Sequence, residues 1–139
     1  MRLVVDTNIL ISALFSAQSL PSHLIALWRE GRFDLLTSAD QIDELMRVTR
    51  YPRIRERLSP TLAGRLINEL KDVATVVTGL PNITASPDPY DNYLLATALA
   101  GEADFVVTGD KRDLLILKVF QGVRIVSVRE LLTMHGRLP

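Results

Sequence analysis

The sequence predicts a three-layer α/β domain, in which helices cover a central parallel sheet. Short apolar runs alternate along the chain with longer segments whose apolar residues recur at helical spacing. The short runs show little alternation of polar and apolar residues, which is typical of strands buried on both faces of a parallel sheet. With 139 residues, the chain is the size of one compact domain, so we predict a single domain over residues 1–139.

The composition excludes several kinds of site. The chain has no cysteine, and it therefore has neither a disulfide nor a thiolate zinc site. No run reaches the ~18 apolar residues that a bilayer span requires, and Asp6 and Asn8 interrupt any signal-peptide core, so we expect a cytoplasmic protein without a membrane segment. The formal net charge of +0 gives no overall attraction to nucleic acid, so such contacts require a local patch.

The first predicted strand covers residues 3–5 and ends at Asp6. Open α/β sheets form their sites at the carboxyl ends of strands, so this carboxylate faces the expected crevice. Thr7 and Asn8 follow as polar side chains that can hold the carboxylate or begin the helix expected over 9–14. A helix cap explains Asp6 as well as a metal ligand does, and both readings stay open at this point.

The second predicted strand covers residues 33–37 and follows a helix that begins with a serine and a proline. Ser38 and Gln41 then have the spacing of a capping box, which opens the next helix. Glu44 lies near the edge of the apolar stripe of that helix, where it could lean over the end of the sheet toward Asp6. A solvated helix glutamate is the alternative.

The arginine-rich stretch between residues 47 and 57 is the only dense positive segment of the chain, and Arg50, Arg53 and Arg55 lie within it. It could bind phosphates, lie free in solvent or contact a protein partner, and the sequence favours none of these uses over the others. A helix over 60–70 follows. Residues 73–77 are apolar enough for a short strand, and the end of a helix is the alternative.

The second informative stretch begins at Asp88. Asp88 fits a helix N-cap and Pro89 the first helical position, which puts Asp91 in the first turn, where the helix dipole favours a negative charge. This capping role explains Asp88 and part of the preference for Asp91. We expect the helix to end at Gly101.

The strand predicted over 105–108 is followed by Gly109 and Asp110, which repeats the arrangement of Asp6 at the end of the first strand. A last strand over 123–126 precedes a second capping box, formed by Ser127 and Glu130. Strands and helices therefore alternate along the chain.

Four acids define the candidate site: Asp6, Glu44, Asp91 and Asp110. Right-handed βαβ connections would bring their elements to one edge of the sheet. Clustered carboxylates repel one another unless a cation lies between them, and oxygen-only ligands suit Mg²⁺ or Mn²⁺. Such a site is suited to phosphodiester hydrolysis.

The residues at 4–8, 38–45, 91–98 and 108–110 resemble, in this order, the motifs of the PIN-domain nucleases. The similarity covers nearly the whole chain and is strongest to VapC-like proteins, the toxins of toxin–antitoxin pairs. The resemblance implies a ribonuclease that depends on Mg²⁺ or Mn²⁺. Members of this family are commonly homodimers, and a partner antitoxin inhibits the toxins.

The resemblance also assigns roles to residues. Asp6, Glu44 and Asp91 would be the core metal ligands, and Asp110 would complete the site. Three neighbouring polar residues would orient the carboxylates: Thr7, Asn8 and Thr108. Two further acids, Asp88 and Asp113, would be auxiliary.

The same residues bear on three other functions. An aspartyl phosphatase typically has a second Asp where this chain has Asn8, and a phosphoacceptor domain needs adjacent acids with a lysine, for which Lys111 is weak support. The main alternative is a catalytically weak or inactive PIN fold that binds RNA or a protein. The presence of all four acids argues against it.

Overall fold

The computed structural model describes residues 1–110 and 112–135, and it confirms the α/β fold class. A six-stranded sheet has the order β3-β2-β1-β4-β6-β5, and every neighbouring pair is parallel except β5 with β6. The strands are β1 (Arg2–Val5), β2 (Asp34–Thr37), β3 (Thr75–Val76), β4 (Phe105–Val107), β5 (Val119–Phe120) and β6 (Val123–Val126).

Seven α-helices lie within the described residues. They are α1 (Thr7–Phe15), α2 (Leu20–Arg29), α3 (Ala39–Val48), α4 (Pro52–Arg55), α5 (Pro60–Asp72), α6 (Pro89–Ala100) and α7 (Val128–Met134). No single helix in this part of the chain is long and apolar enough to cross a membrane, although α1 and α2, bent by 100° to each other, reach the required length and apolarity as a pair.

The sheet has a separate apolar core on each face. On one face, Leu3 and Val5 pack with buried side chains of α1, α2, α3, α5 and α7. On the other face, Val4 packs with Leu94, Leu95 and their neighbours on α6. Successive residues of β1 thus point into different cores, which explains why this strand is apolar without alternation.

The helix starts mostly follow the sequence prediction, with one informative difference. Ser127 and Glu130 form a complete capping box at α7. At α3, Ser38 accepts a hydrogen bond from the backbone N–H of Gln41, but the Gln41 side chain does not return to Ser38. Its amide instead donates to the carbonyl of Val5 at 2.6 Å. The capping-box prediction at Ser38 is therefore only half correct.

The topology brings two of the predicted site residues, Asp6 and Thr108, to one edge of the sheet. β1 and β4 are neighbours, and Val5 pairs with Val107, so the residues that follow them, Asp6 and Thr108, are adjacent at the carboxyl ends of the strands. Asp6 is the N-cap of α1 and donates its backbone N–H to the carbonyl of Val107 at 2.9 Å. Asp6 therefore caps α1 and also lies at the edge of the sheet.

Candidate metal centre

An open cleft of about 600 Å³ lies at this edge of the sheet. Arg112 is the single arginine that lines it within the described residues, against five aspartates. The aspartates are Asp6, Asp88, Asp91, Asp110 and Asp113. The cleft therefore has a strong excess of negative charge, which favours a cation.

Asp6 is 4% exposed and is held by two hydrogen bonds. Its Oδ2 accepts from the Thr108 hydroxyl at 2.8 Å, and its Oδ1 accepts from the backbone N–H of Asn8 at 3.1 Å. Burial raises the pKa of the Asp6 carboxyl above its ordinary value, the charges of Asp110 and Asp88 add to the rise, and these two hydrogen bonds oppose it. The carboxylate is thus fixed in one orientation.

Asp91 lies in the first turn of α6 and is 3% exposed. Its Oδ2 accepts a hydrogen bond from the Ser86 hydroxyl at 3.1 Å. Burial, followed by the hydrogen bond and the charge that Asp110 presents, raises the pKa of Asp91 to about 7. Without a cation, this carboxyl therefore keeps its proton to a higher pH than an ordinary aspartate does.

Among the described residues, Asp91, Asp110 and Asp113 form a close acidic group, which we call the aspartate triad. Each residue offers one carboxylate oxygen, and these oxygens all lie within 4.8 Å of one another. Asp110 Oδ1 also accepts from the backbone N–H groups of Arg112, at 3.0 Å, and of Asp113, at 3.2 Å, so the turn after β4 folds around this carboxylate. Asp113, expected only as an auxiliary acid, belongs to the triad.

Glu44 lies elsewhere. The described residues that line the cleft do not include it. Its carboxylate pairs with Arg47, one turn later on α3, and both residues line a separate depression with Asp40, Asp43 and Tyr93. The expectation that Glu44 leans toward Asp6 is thus not met in this structure, because a near neighbour on its own helix supplies a cation; its assignment as a ligand stays a prediction.

The expected orienting residues have different places. Thr108 is fully buried and both donates to Asp6 and accepts from the backbone N–H of Asp110 at 3.0 Å. Asn8 lines the cleft and contributes its backbone N–H to Asp6. The Thr7 side chain points to Tyr90, with which it forms a hydrogen bond. Within the part of the chain that the structure describes, it forms no hydrogen bond with a carboxylate.

Asp88 acts as the N-cap that the sequence predicts, since it accepts from the backbone N–H of Tyr90 at 2.9 Å. Ser86, by contrast, is not among the residues predicted from the sequence. It is buried, donates to Asp91 and accepts from the backbone N–H of Asp88. Its backbone groups also exchange hydrogen bonds of 2.9 Å with the Asn92 side chain. The turn-forming composition of this loop was the available signal, but composition does not show which of its polar side chains faces Asp91.

The donor set fits a hard divalent cation. The triad offers only carboxylate oxygens, and Asp6 adds a further carboxylate on the wall of the same cleft. Mg²⁺ and Mn²⁺ prefer such ligands, and the triad lies in an open cleft that leaves room for a substrate oxygen. Lys111, next to Asp110, lies outside the described residues.

Residues 2–112, which contain four of the five cleft aspartates, match the PIN domain family. The chain belongs to the PIN domain family. PIN domains are generally metal-dependent nucleases, and the acidic cleft of this PIN domain agrees with that activity. The chain is also 26% identical over 118 residues to the uncharacterized protein MJ1680 of Methanocaldococcus jannaschii, a match that covers 84% of this chain and 75% of the relative.

Proposed function

We propose that this PIN domain is an endoribonuclease that hydrolyses RNA phosphodiester bonds with Mg²⁺ or Mn²⁺. The observation that carries the proposal is the aspartate triad in an open cleft, with Asp6 on the wall of the same cleft. Asp6, Asp91 and Asp110 are proposed as ligands, with Asp113 beside them. A divalent ion held there supplies Lewis acidity, which polarises phosphate oxygens and makes water a stronger nucleophile at neutral pH.

The chain's own groups hold the carboxylates in place before a substrate arrives. Thr108 fixes Asp6, and Ser86 fixes Asp91. The backbone of the turn after β4 fixes Asp110. Preorganised ligands lose little entropy on binding, so this arrangement favours tight and well-oriented binding of a cation.

The direct test is cleavage of a mixed RNA pool by the purified protein. We expect cutting with Mg²⁺ or Mn²⁺ and none after EDTA treatment, because five clustered aspartates repel the phosphate when no cation is bound. A matched DNA pool measures selectivity for RNA. Equal cutting with and without EDTA would contradict a metal-dependent mechanism.

The exposed arginines Arg50, Arg53 and Arg55 are proposed to bind the RNA backbone. Among the described residues, two ion pairs form, Arg29–Glu69 and Arg47–Glu44, and neither uses these three arginines. Arg57, from the same positive stretch, lies over the Phe15 ring at 4.4 Å. The remaining three guanidinium groups are therefore available for phosphates.

Neutralising two of these arginines should change the salt dependence of binding. For the double variant Arg53→Gln, Arg55→Gln, we expect the slope of log K against log salt to fall by about 1.4, since each phosphate contact on a single strand contributes roughly 0.7. Binding is measured with EDTA present so that the RNA stays intact. Arg129→Gln, an exposed arginine on α7, is the control, and an unchanged slope in the double variant would assign these arginines to solvent or to a protein partner.

We further propose that the chain is a VapC-like toxin that acts in the cytoplasm as a homodimer and is inhibited by an antitoxin. The support is the resemblance of its motifs to those proteins together with the acidic cleft, which an inhibitor could cover. Expression in cells with and without the gene next to it would test the toxin role. Light scattering on the purified protein would test the homodimer.

One observation favours the alternative of a catalytically weak PIN module that binds RNA or a protein. Glu44, the second acid of the motif, pairs with Arg47 outside the cleft. Under this alternative, RNA would bind in the presence of metal but would not be cut. The cleavage assay therefore separates the two functions.

A further inference from the structure

A hydrogen-bond network extends from the sheet to the wall of the cleft, and we call it the Gln41–Tyr90 network. Its Thr37, Gln41 and Thr7 side chains are buried, and Tyr90 is half-buried. Thr37, at the end of β2, donates to the Gln41 side-chain oxygen at 2.7 Å. The Gln41 amide donates to the carbonyl of Val5 at 2.6 Å and lies 3.5 Å from the Thr7 hydroxyl. The backbone N–H of Thr7 donates to the Tyr90 hydroxyl at 3.1 Å, and the two hydroxyls share a further hydrogen bond.

The members of this network are the chain neighbours of two proposed ligands. Val5 and Thr7 flank Asp6, and Tyr90 directly precedes Asp91. The network therefore joins the end of β1 to the first turn of α6. A displacement of Tyr90 would move the peptide that carries Asp91, and a displacement of Thr7 would move the peptide that carries Asp6.

Three of the four side chains of the network are buried. Thr37, Gln41 and Thr7 are 0%, 4% and 2% exposed, so water cannot easily replace a lost partner. Among the described residues, no buried side-chain nitrogen or oxygen lacks a hydrogen-bond partner. A fully satisfied buried network favours one arrangement of its elements over others. It also explains why Gln41 leaves the capping box at α3.

We propose that Gln41 and Tyr90 are positioning residues that set the separation of Asp6 and Asp91 and thereby the affinity of the cleft for a divalent cation. This inference rests on the proposed function, because it assumes that both aspartates bind the cation. The hydroxyl of Tyr90 acts through Thr7 and through its own peptide. Because the ring lines the cleft, its loss would also open a gap beside the site.

The test is Mn²⁺ binding by the metal-free protein, measured by titration calorimetry or by the electron paramagnetic resonance of free Mn²⁺. For Tyr90→Phe, which keeps the ring and removes the hydroxyl, we expect the affinity to fall about tenfold. Tyr93→Phe is the matched control on the same helix, because its side chain is 47% exposed, and its affinity should equal that of the wild type.

Further variants decide between positioning and a role in stability alone. If Tyr90→Phe lowers the melting temperature of the metal-free protein but binds Mn²⁺ as the wild type does, the inference is wrong. A second variant, Gln41→Leu, gives the same comparison if Tyr90→Phe does not fold. In the double variant, one shared network should give a loss of affinity smaller than the product of the two single losses; fully independent losses would contradict it. A wild type that binds no Mn²⁺ would overturn the proposed function and this inference together.

Discussion

Replacing Asp6 by Asn should reduce metal-dependent RNA cleavage by more than about 100-fold, because even partners behind a metal ligand are commonly worth 10- to 100-fold. The change removes one negative charge from the cleft and keeps the shape of the side chain. In the wild type, Asp6 Oδ2 accepts a hydrogen bond from the Thr108 hydroxyl, and Oδ1 accepts one from the backbone N–H of Asn8. An amide oxygen can still accept one of these bonds, and the Thr108 hydroxyl can turn to accept from the amide nitrogen.

The fold of the Asp6→Asn variant should remain intact, since Asn is as good a helix N-cap as Asp and α1 keeps its first turn. The measurement is the cleavage rate at saturating Mn²⁺, together with circular dichroism to verify the fold. Asp43→Asn, an exposed acid on α3, is the matched control and should cut RNA as the wild type does. Cleavage retained by a folded Asp6→Asn variant would remove Asp6 from the catalytic group.

The elements around Asp6 show why much of the fold could be predicted from sequence. Local signals suffice for the apolar strand over 3–5 and for the Asp88–Pro89 helix start, because a cap or a buried run depends on residues close in the chain. The edge strand β5 was not predicted. It has only two residues, and its pairing with β6 depends on the turn between them. So short a segment carries no periodicity.

The site was harder to predict than the fold, because its geometry depends on choices between partners. Glu44 can turn toward the sheet edge or toward Arg47, and spacing along the helix does not decide between them. Gln41 has the position of a capping residue, yet its side-chain amide donates to the carbonyl of Val5 in β1, which is 36 residues away in sequence. Asp113 joins the triad because the turn after β4 folds back around Asp110. Each outcome depends on a tertiary contact or a loop conformation.

Replacing Asp91 by Asn should stabilise the metal-free protein at alkaline pH while removing its response to Mn²⁺. The pKa of Asp91 is raised from 3.8 to about 7 in the folded chain, so folding favours the protonated form. The stabilisation from this neutral form is fully present below pH 3.8 and is lost as the pH rises through about 7. Asn cannot ionise, and its side-chain oxygen can keep the hydrogen bond from Ser86.

The two melting curves should therefore separate as the pH rises. Without metal, we expect Asp91→Asn to melt at about the wild-type temperature at pH 4 and about 5 °C higher at pH 8. Residual pH dependence is expected in both proteins, because the pKa of Asp6 is also raised. Asp43→Asn, exposed on α3, should follow the wild type at each pH.

Addition of Mn²⁺ at pH 8 should reverse this order. A cation that binds only the folded protein stabilises it by mass action, so the wild type gains melting temperature with Mn²⁺ concentration. The Asp91→Asn variant lacks one carboxylate of the triad and should gain little. If Mn²⁺ stabilised both proteins equally, Asp91 would not be a ligand. If the curves did not separate with pH, the charge on Asp91 would cost the metal-free fold nothing. Together the two outcomes identify the buried Asp91 carboxylate, whose charge destabilises the metal-free fold, as a group that attracts the cation.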